Sequence, residues 1–226
     1  MSTLSLFPHL TDADFDQACY ALSHAFEQQG DSSGEWQSVH VIDSAATTLV
    51  RITKSLSTTQ DLSANVEMTK QDYDGDDDEE DYETEEILQD DPEALDSTSA
   101  PCSPTVDYDM LLSPTYRVPV LYISINDVLH RYPPTLDTLY RHLVPEALRS
   151  QTQSVGVIGG ITITHHPLTD RPVFFIHPCR TAEVMEASIG ESRRVTAQEY
   201  LMVWIGALGK SVGLKLPLRL AQVMLR

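Results

Sequence analysis

Cysteine is scarce in this chain. Cys19, Cys102 and Cys179 are the three in 226 residues, too few and too scattered for a disulfide framework. That scarcity fits a reducing compartment, where a thiol is buried or reactive rather than bridged. The start, "MSTLSLFPHLTDADFD", lacks both the basic region and the apolar run of a signal peptide. The longest apolar stretch near the end, "YLMVWIGALG", is about half of the ~20 residues that cross a bilayer. A soluble, cytoplasmic protein without stable membrane insertion is therefore expected. Two further absences bear on chemistry. No histidine follows His177, which weighs against a papain-like enzyme, whose base lies far downstream of its cysteine. A G-x-S-x-G elbow is also missing, which weighs against a serine hydrolase.

Positive charge is absent from one long segment. Between Asp72 and Asp96 stand fifteen of the 34 acidic residues and no lysine or arginine. The remaining nineteen face fifteen basic residues, so the rest of the chain is close to neutral although the whole carries −19. Such a chain is repelled by phosphate backbones, and nucleic-acid binding is not expected. The segment from about 58 to 104 combines low hydrophobicity with charge of one sign and a Ser/Pro-rich exit. It cannot bury enough apolar surface to offset its ordering entropy. The expectation is one domain, 1–226, containing a disordered acidic loop at 58–104, since loops lengthen at little cost.

What remains has clear periodicity. "LTDADFDQACYALSHAFEQQG" sets Phe15, Ala18, Tyr20, Leu22 and Phe26 near helical spacing, with Thr11 or Asp12 as N-cap and Gly30 as the stop. "EWQSVHVI" and "TTLVRITKSL" read as a hairpin. "VDYDMLLSP" and "YRVPVLYISI" read as two antiparallel strands about a turn at Ser113-Pro114. "TLDTLYRHLVPEAL" suggests a short helix ending near Pro145, and "SVGVIGGITIT" and "PVFFIH" two more strands. The end is mainly helical, with Thr181 and Thr196 as expected N-caps and Leu201, Val203, Trp204 and Leu208 as core. Helix, strands, then helices gives an α+β fold on a mostly antiparallel sheet flanked by helices.

The residues leave two readings of Cys179 open. Free cysteine is among the most buried residue types, and Cys19, between apolar helix positions, fits that. Cys179 follows Pro178, which ends a strand ladder, and stands just before a helix start whose free N–H groups favour a thiolate. His177, two residues earlier, could share a strand face with it. These features describe an activated nucleophile. His165, His166, His177 and Cys179 lack a paired metal-ligand spacing, so no metal is expected.

"HPLTDRPVFFIHPCRTAEVM" followed by "GKSVGLKLPLRLA" resembles the C-terminal half of the autophagy-related protein 10 family, ubiquitin-like-conjugating enzymes of autophagy. "YRVPVLYISI" and "GEWQSV" are similar to the same family's central strand and its post-helix segment. The resemblance spans Leu10 to Val50 weakly and Tyr116 to Ala221 well. His-Pro-Cys is shared with the sibling family, autophagy-related protein 3, while "VGLKLPL" points to protein 10.

The resemblance implies a ubiquitin-conjugating-enzyme-like fold and a transferase that needs no cofactor. Cys179 would take the ubiquitin-like autophagy-related protein 12 from its activating enzyme, autophagy-related protein 7, as a thioester. It would then pass the modifier to a lysine of autophagy-related protein 5. His177 would orient the loop or assist proton transfer. It further implies a cytoplasmic enzyme recruited to forming autophagosomal membranes. Ordinary ubiquitin-conjugating enzymes carry His-Pro-Asn before the cysteine, whereas Leu168 stands at the asparagine position here. Backbone N–H groups after Cys179, His177, Thr164 and Tyr122 are the candidates to hold the oxyanion. Rival readings are the sibling's transfer of a modifier to phosphatidylethanolamine, a non-catalytic adaptor of the same fold, and a cysteine hydrolase. The first helix has an acidic polar face, which speaks against the membrane-sensing role that the sibling requires.

Overall fold

A computed structural model describes residues 3–29, 35–44, 47–56, 103–149, 160–190 and 194–224. Except for Ser103 and Pro104, the acidic segment expected as a loop lies outside them, as do Gly30, Cys102 and most of "SVGVIGG".

Helix α1 (Asp12–Gln29) opens with a reciprocal cap. The Asp14 N–H donates to Thr11 Oγ1 at 3.1 Å and the Thr11 N–H to Asp14 Oδ2 at 3.0 Å, so Thr11 is the N-cap. Its buried stripe is Phe15, Ala18, Cys19, Leu22 and Ala25. Tyr20 is not part of it; the ring is half exposed and its hydroxyl donates to Asp43.

Six strands follow among the described residues: β1 (Ser38–Ser44), β2 (Thr47–Ser55), β3 (Thr105–Leu112), β4 (Pro119–Asn126), β5 (Ile161–His165) and β6 (Pro172–Ile176). They form one antiparallel sheet in the order β1-β2-β3-β4-β6-β5. The α+β architecture expected from the sequence is thus present. Period-two alternation sends Val50 and Ile52, Tyr108 and Met110, Leu121 and Ile123, and Phe174 and Ile176 to the core face. The other face carries a small apolar cluster of Leu49, Leu111 and Val120, extended by Tyr122 and Phe175. The β3–β4 turn is closed by the Arg117 N–H donating to the Ser113 carbonyl at 2.8 Å. The guanidinium of Arg117 then pairs with Asp12 at the start of α1.

Between β4 and β5 the expected short helix is one turn, α2 (Leu136–Thr138), capped by Thr135 and running into a wider turn at Leu139–Leu143. The C-terminal part holds α3 (Thr181–Ile189), α4 (Ala197–Leu208) and α5 (Leu218–Met224). α1 packs on α4 and α5, with Trp36 and Trp204 buried in the core. Thr196 and Glu199 form a full capping box on α4. Thr196→Ala is expected to lower stability by about 1 kcal/mol, read as a shifted urea midpoint at unchanged slope. Gly213 closes the turn after α4 at φ 76°. A Cβ there would come within 3.0 Å of the Leu143 carbonyl oxygen, so the glycine of "VGLKLPL" is required by both conformation and space.

Candidate active site

The local sequence dictates the turn that carries Cys179. Pro178 cannot continue the ladder, so β6 stops at Ile176 and Pro178–Arg180 form a single 3-10 turn that leads into α3. Thr181 is the first residue of α3 rather than its N-cap, because this turn already supplies the helix entry; Arg180 occupies the cap position, its side chain bonding Glu183 and not a backbone N–H of the helix. Cys179 is exposed in the turn, whereas Cys19 is fully buried. Burial, and then the nearby Asp16 and Asp43 carboxylates, push the Cys19 thiol well above its ordinary range.

His177 and Cys179 do not share a strand face, since the strand has ended at Ile176, before both of them. Instead the Cys179 N–H donates to His177 Nδ1 at 3.1 Å. The imidazole therefore accepts at Nδ1 and keeps a ring proton at Nε2. Two aromatic neighbours hold the ring edge-on: Tyr116 at 5.5 Å and Phe175 at 6.0 Å between centroids.

Two concavities flank this turn. On the open face of the sheet a groove of about 410 Å³ runs between the β3–β4 turn and the β5–β6 turn. Tyr116, Val120, Tyr122, Pro167, Phe175 and His177 line it. On the other side a cleft of about 550 Å³ lies between α3 and the end of α4, with Thr181, Val184, Ala187 and Leu208 on its walls. The first is a narrow apolar groove with polar tips, suited to an extended peptide tail.

The residues considered as oxyanion holders part company in the fold. Tyr122 pairs with Phe175 and lines the groove with His177. Thr164 pairs with Val173, three positions and so about 10 Å along the strand from Ile176. Asn126, an asparagine outside that set, stands at the opposite end of β4, where its amide donates to Asp107 at 2.8 Å. Leu168 offers no polar side chain and is partly exposed on the β5–β6 turn. The four residues weighed as a metal set are also separated in role. His165 pairs with Asp170 at the surface, His166 is buried, and His177 caps the Cys179 turn.

One constellation was not anticipated from the sequence. Arg51 grips Asp109 with two bonds, Nε to Oδ1 at 2.7 Å and Nη2 to Oδ2 at 2.6 Å. His166 Nε2 lies 3.1 Å from Asp109 Oδ2, with its N–H off the line to that oxygen, so this is a close polar contact rather than an aligned hydrogen bond. Nδ1 of the same ring accepts the N–H groups of Leu168 at 3.2 Å and Thr169 at 3.3 Å. Burial raises the Asp109 pKa, but the Arg51 hydrogen bonds, with His166 beside them, outweigh it and leave the carboxyl below its ordinary value. The available signal was charge at alternate positions of strands otherwise apolar, Arg51 in "TTLVRITKS" and Asp107 and Asp109 in "VDYDMLL".

Residues 14–219 match the family described as "Autophagocytosis associated protein, active-site domain". The chain belongs to this family. Relatives named ubiquitin-like-conjugating enzyme ATG10 are similar over shorter stretches. One from Gibberella zeae is 38% identical over 117 residues, covering 51% of this chain and 48% of the relative. The Homo sapiens relative is 32% identical over 138 residues, 61% of each chain. One from Dictyostelium discoideum is 26% identical over 119 residues, 49% of this chain and 51% of the relative. The matches thus span between about half and three-fifths of the length of these curated relatives. Among the described residues no helix is long and apolar enough to cross a membrane.

Proposed function

We propose that this chain is a ubiquitin-like-conjugating enzyme of autophagy, with Cys179 as its nucleophile. The observation that carries this reading is the exposed Cys179 on a capped turn, directly after His177 and Pro178 that line an apolar groove, within a family active-site domain. The modifier is autophagy-related protein 12, delivered by autophagy-related protein 7, and the acceptor is a lysine of autophagy-related protein 5. The sequence resemblance supports these assignments, and the names of the relatives support the coarser reading of a ubiquitin-like-conjugating enzyme.

The chemistry has two steps. The Cys179 thiolate attacks the carbonyl carbon of the modifier's C-terminal glycine, held as a thioester on the activating enzyme. A new C–S bond forms, the old one breaks, and the activating enzyme's cysteine leaves as a thiolate. A deprotonated lysine amine then attacks the same carbon; an amide bond forms, Cys179 leaves as thiolate, and the amine's second proton passes to solvent. Both steps pass through a tetrahedral oxyanion. With leucine at position 168, oxyanion stabilisation falls to backbone N–H groups of the turn and to Tyr122 across the groove. The Cys179 N–H already donates to His177, which leaves the groups after it as the backbone candidates.

His177 acts by orienting the turn. His177→Ala is expected to slow loading of Cys179 by about tenfold, the order set by a small misplacement of a reacting group. His177→Asn, whose side-chain oxygen can accept the same i+2 N–H, should recover most of the rate. An asparagine variant as slow as alanine would point to proton transfer instead.

Reconstitution with activating enzyme, modifier and acceptor tests the whole reading. A thiol-sensitive adduct on Cys179 should appear first, then a thiol-resistant conjugate on the acceptor. A conjugate formed by the Cys179→Ala protein would overturn it, and so would a modifier found on phosphatidylethanolamine rather than on protein.

A further inference from the structure

Arg51 and Asp109 lie outside the groove beside Cys179, yet an unbroken series of contacts joins them to it. They face each other across β2 and β3 in one cross-strand row that continues through Tyr122 on β4 and Phe175 on β6. His166 folds over this row from the β5–β6 turn, against Asp109 and edge-on to Tyr122 at 5.3 Å. Tyr122 packs on Phe175 at 4.9 Å, Phe175 on His177 at 6.0 Å, and His177 accepts the Cys179 N–H.

Stability alone does not call for an ion pair here. Apolar side chains of similar volume serve a fold as well as a largely buried pair does or better, and at this position they would extend the adjoining Leu49–Leu111–Val120 cluster. What apolar residues cannot do is present a fixed carboxylate to an imidazole. Because His166 Nδ1 accepts two backbone N–H groups, its ring proton belongs on Nε2, which is the nitrogen facing Asp109. A carboxylate at that nitrogen favours that tautomer. With the other tautomer the N–H groups of Leu168 and Thr169 would meet a donor, and the turn bearing Pro167 would keep its backbone bonds from His166 to Arg171 and Asp170 but lose the two made by the ring.

We propose that Arg51 and Asp109 are positioning residues for the reaction at Cys179, acting through His166 and the aromatic row to hold the Pro167 wall of the groove and the His177-capped turn in register. This rests on the reading of Cys179 as the acyl-accepting thiol. Asp109→Asn removes the carboxylate at nearly constant shape. It is expected to lower kcat for loading of Cys179 about tenfold, while KM for the charged activating enzyme stays within about twofold, since neither residue lines the groove.

The test uses the full chain in single-turnover loading, with nitrogen-15 spectra of His166 recorded in parallel. Wild type should show one tautomer, protonated at Nε2, and Asp109→Asn a mixture. Arg51→Gln combined with Asp109→Asn separates positioning from simple charge exposure. The double variant stays slow if the carboxylate positions His166, and recovers if an uncompensated guanidinium was the fault. Should Asp109→Asn not fold, Arg51→Lys keeps the charge but loses the two-point grip, and about a threefold fall in kcat is expected. Loading by Asp109→Asn at wild-type kcat, or recovery in the double variant, overturns the positioning role alone. A wild-type protein that forms no thiol-labile adduct overturns the reading of Cys179 itself, whatever the His166 spectrum shows.

Discussion

Replacing Cys179 by serine is expected to abolish conjugate formation, by about 10³-fold or more, the scale of losing a covalent nucleophile. The two classes of variant should fail differently. In Cys179→Ser the hydroxyl can still be acylated slowly, and the resulting oxyester, with its poor leaving group, resists the acceptor lysine. An adduct that survives thiol but not alkali is the signature. Cys179→Ala should carry no adduct. The control is Cys19→Ala, in which a thiol fully buried in α1 is removed. Burial already holds that thiol protonated, so loading should be unchanged and only stability reduced. Running both in a Cys102→Ser background assigns any remaining adduct to one sulfur. Loss of loading in Cys19→Ala without unfolding would contradict the assignment.

The second large effect concerns the core. Trp204 on α4 is 1% exposed, and Trp204→Ala is expected to cost about 3–5 kcal/mol, a large fraction of the 5–15 kcal/mol typical of a domain. Its comparison with Trp36 is sharper than the number itself. Trp36 Nε1 donates to the Lys215 carbonyl at 3.0 Å, whereas Trp204 Nε1 is buried with no hydrogen-bond partner among the described residues. Phenylalanine at 36 would strand a carbonyl; phenylalanine at 204 removes a donor that has no acceptor. Trp36→Phe should therefore destabilise more than Trp204→Phe, by about 1 kcal/mol. Urea midpoints at constant slope measure both. Equal losses would mean that volume alone governs these sites.

Local signals made much of the fold legible. Thr11 with Asp14, and Thr196 with Glu199, are caps that three or four residues specify. The strands of both hairpins follow from period-two alternation, and the His-Pro-Cys turn follows from a proline that cannot extend a ladder. Thr181 is not the cap, because a proline shows where the ladder ends but not that Pro178–Arg180 wind into a 3-10 turn that enters the helix directly. Tyr20 fits the stripe least, since ~3.6 residues per turn set it about 140° round the helix from Phe15, where it meets Asp43.

The site was legible only in part, for a related reason. Cys179 and His177 stand two residues apart, so their association is local and the sequence carries it. The groove is assembled from three loops and strands distant in the chain. Tyr116 meets His177 from the β3–β4 turn and Pro167 lines the same groove from the β5–β6 turn, and neither placement is encoded in spacing. Arg51 and Asp109 are 58 positions apart in the chain, with the acidic stretch between them. Their partnership exists because β2 and β3 pair in one register, and a slip of one residue would turn both side chains to the opposite face.

By itself the sequence determined the helix caps, the strand alternation, the concentration of acidity in one segment, and a cysteine set on a proline turn, since each depends on neighbours within a few residues. Only the tertiary structure decided which ring nitrogen meets the Cys179 backbone and which carboxylate faces His166. It also decided which of Tyr122 and Thr164 shares a groove with His177. Those outcomes depend on sheet order and register, which are settled by burial across the whole sheet and not by any short stretch of chain.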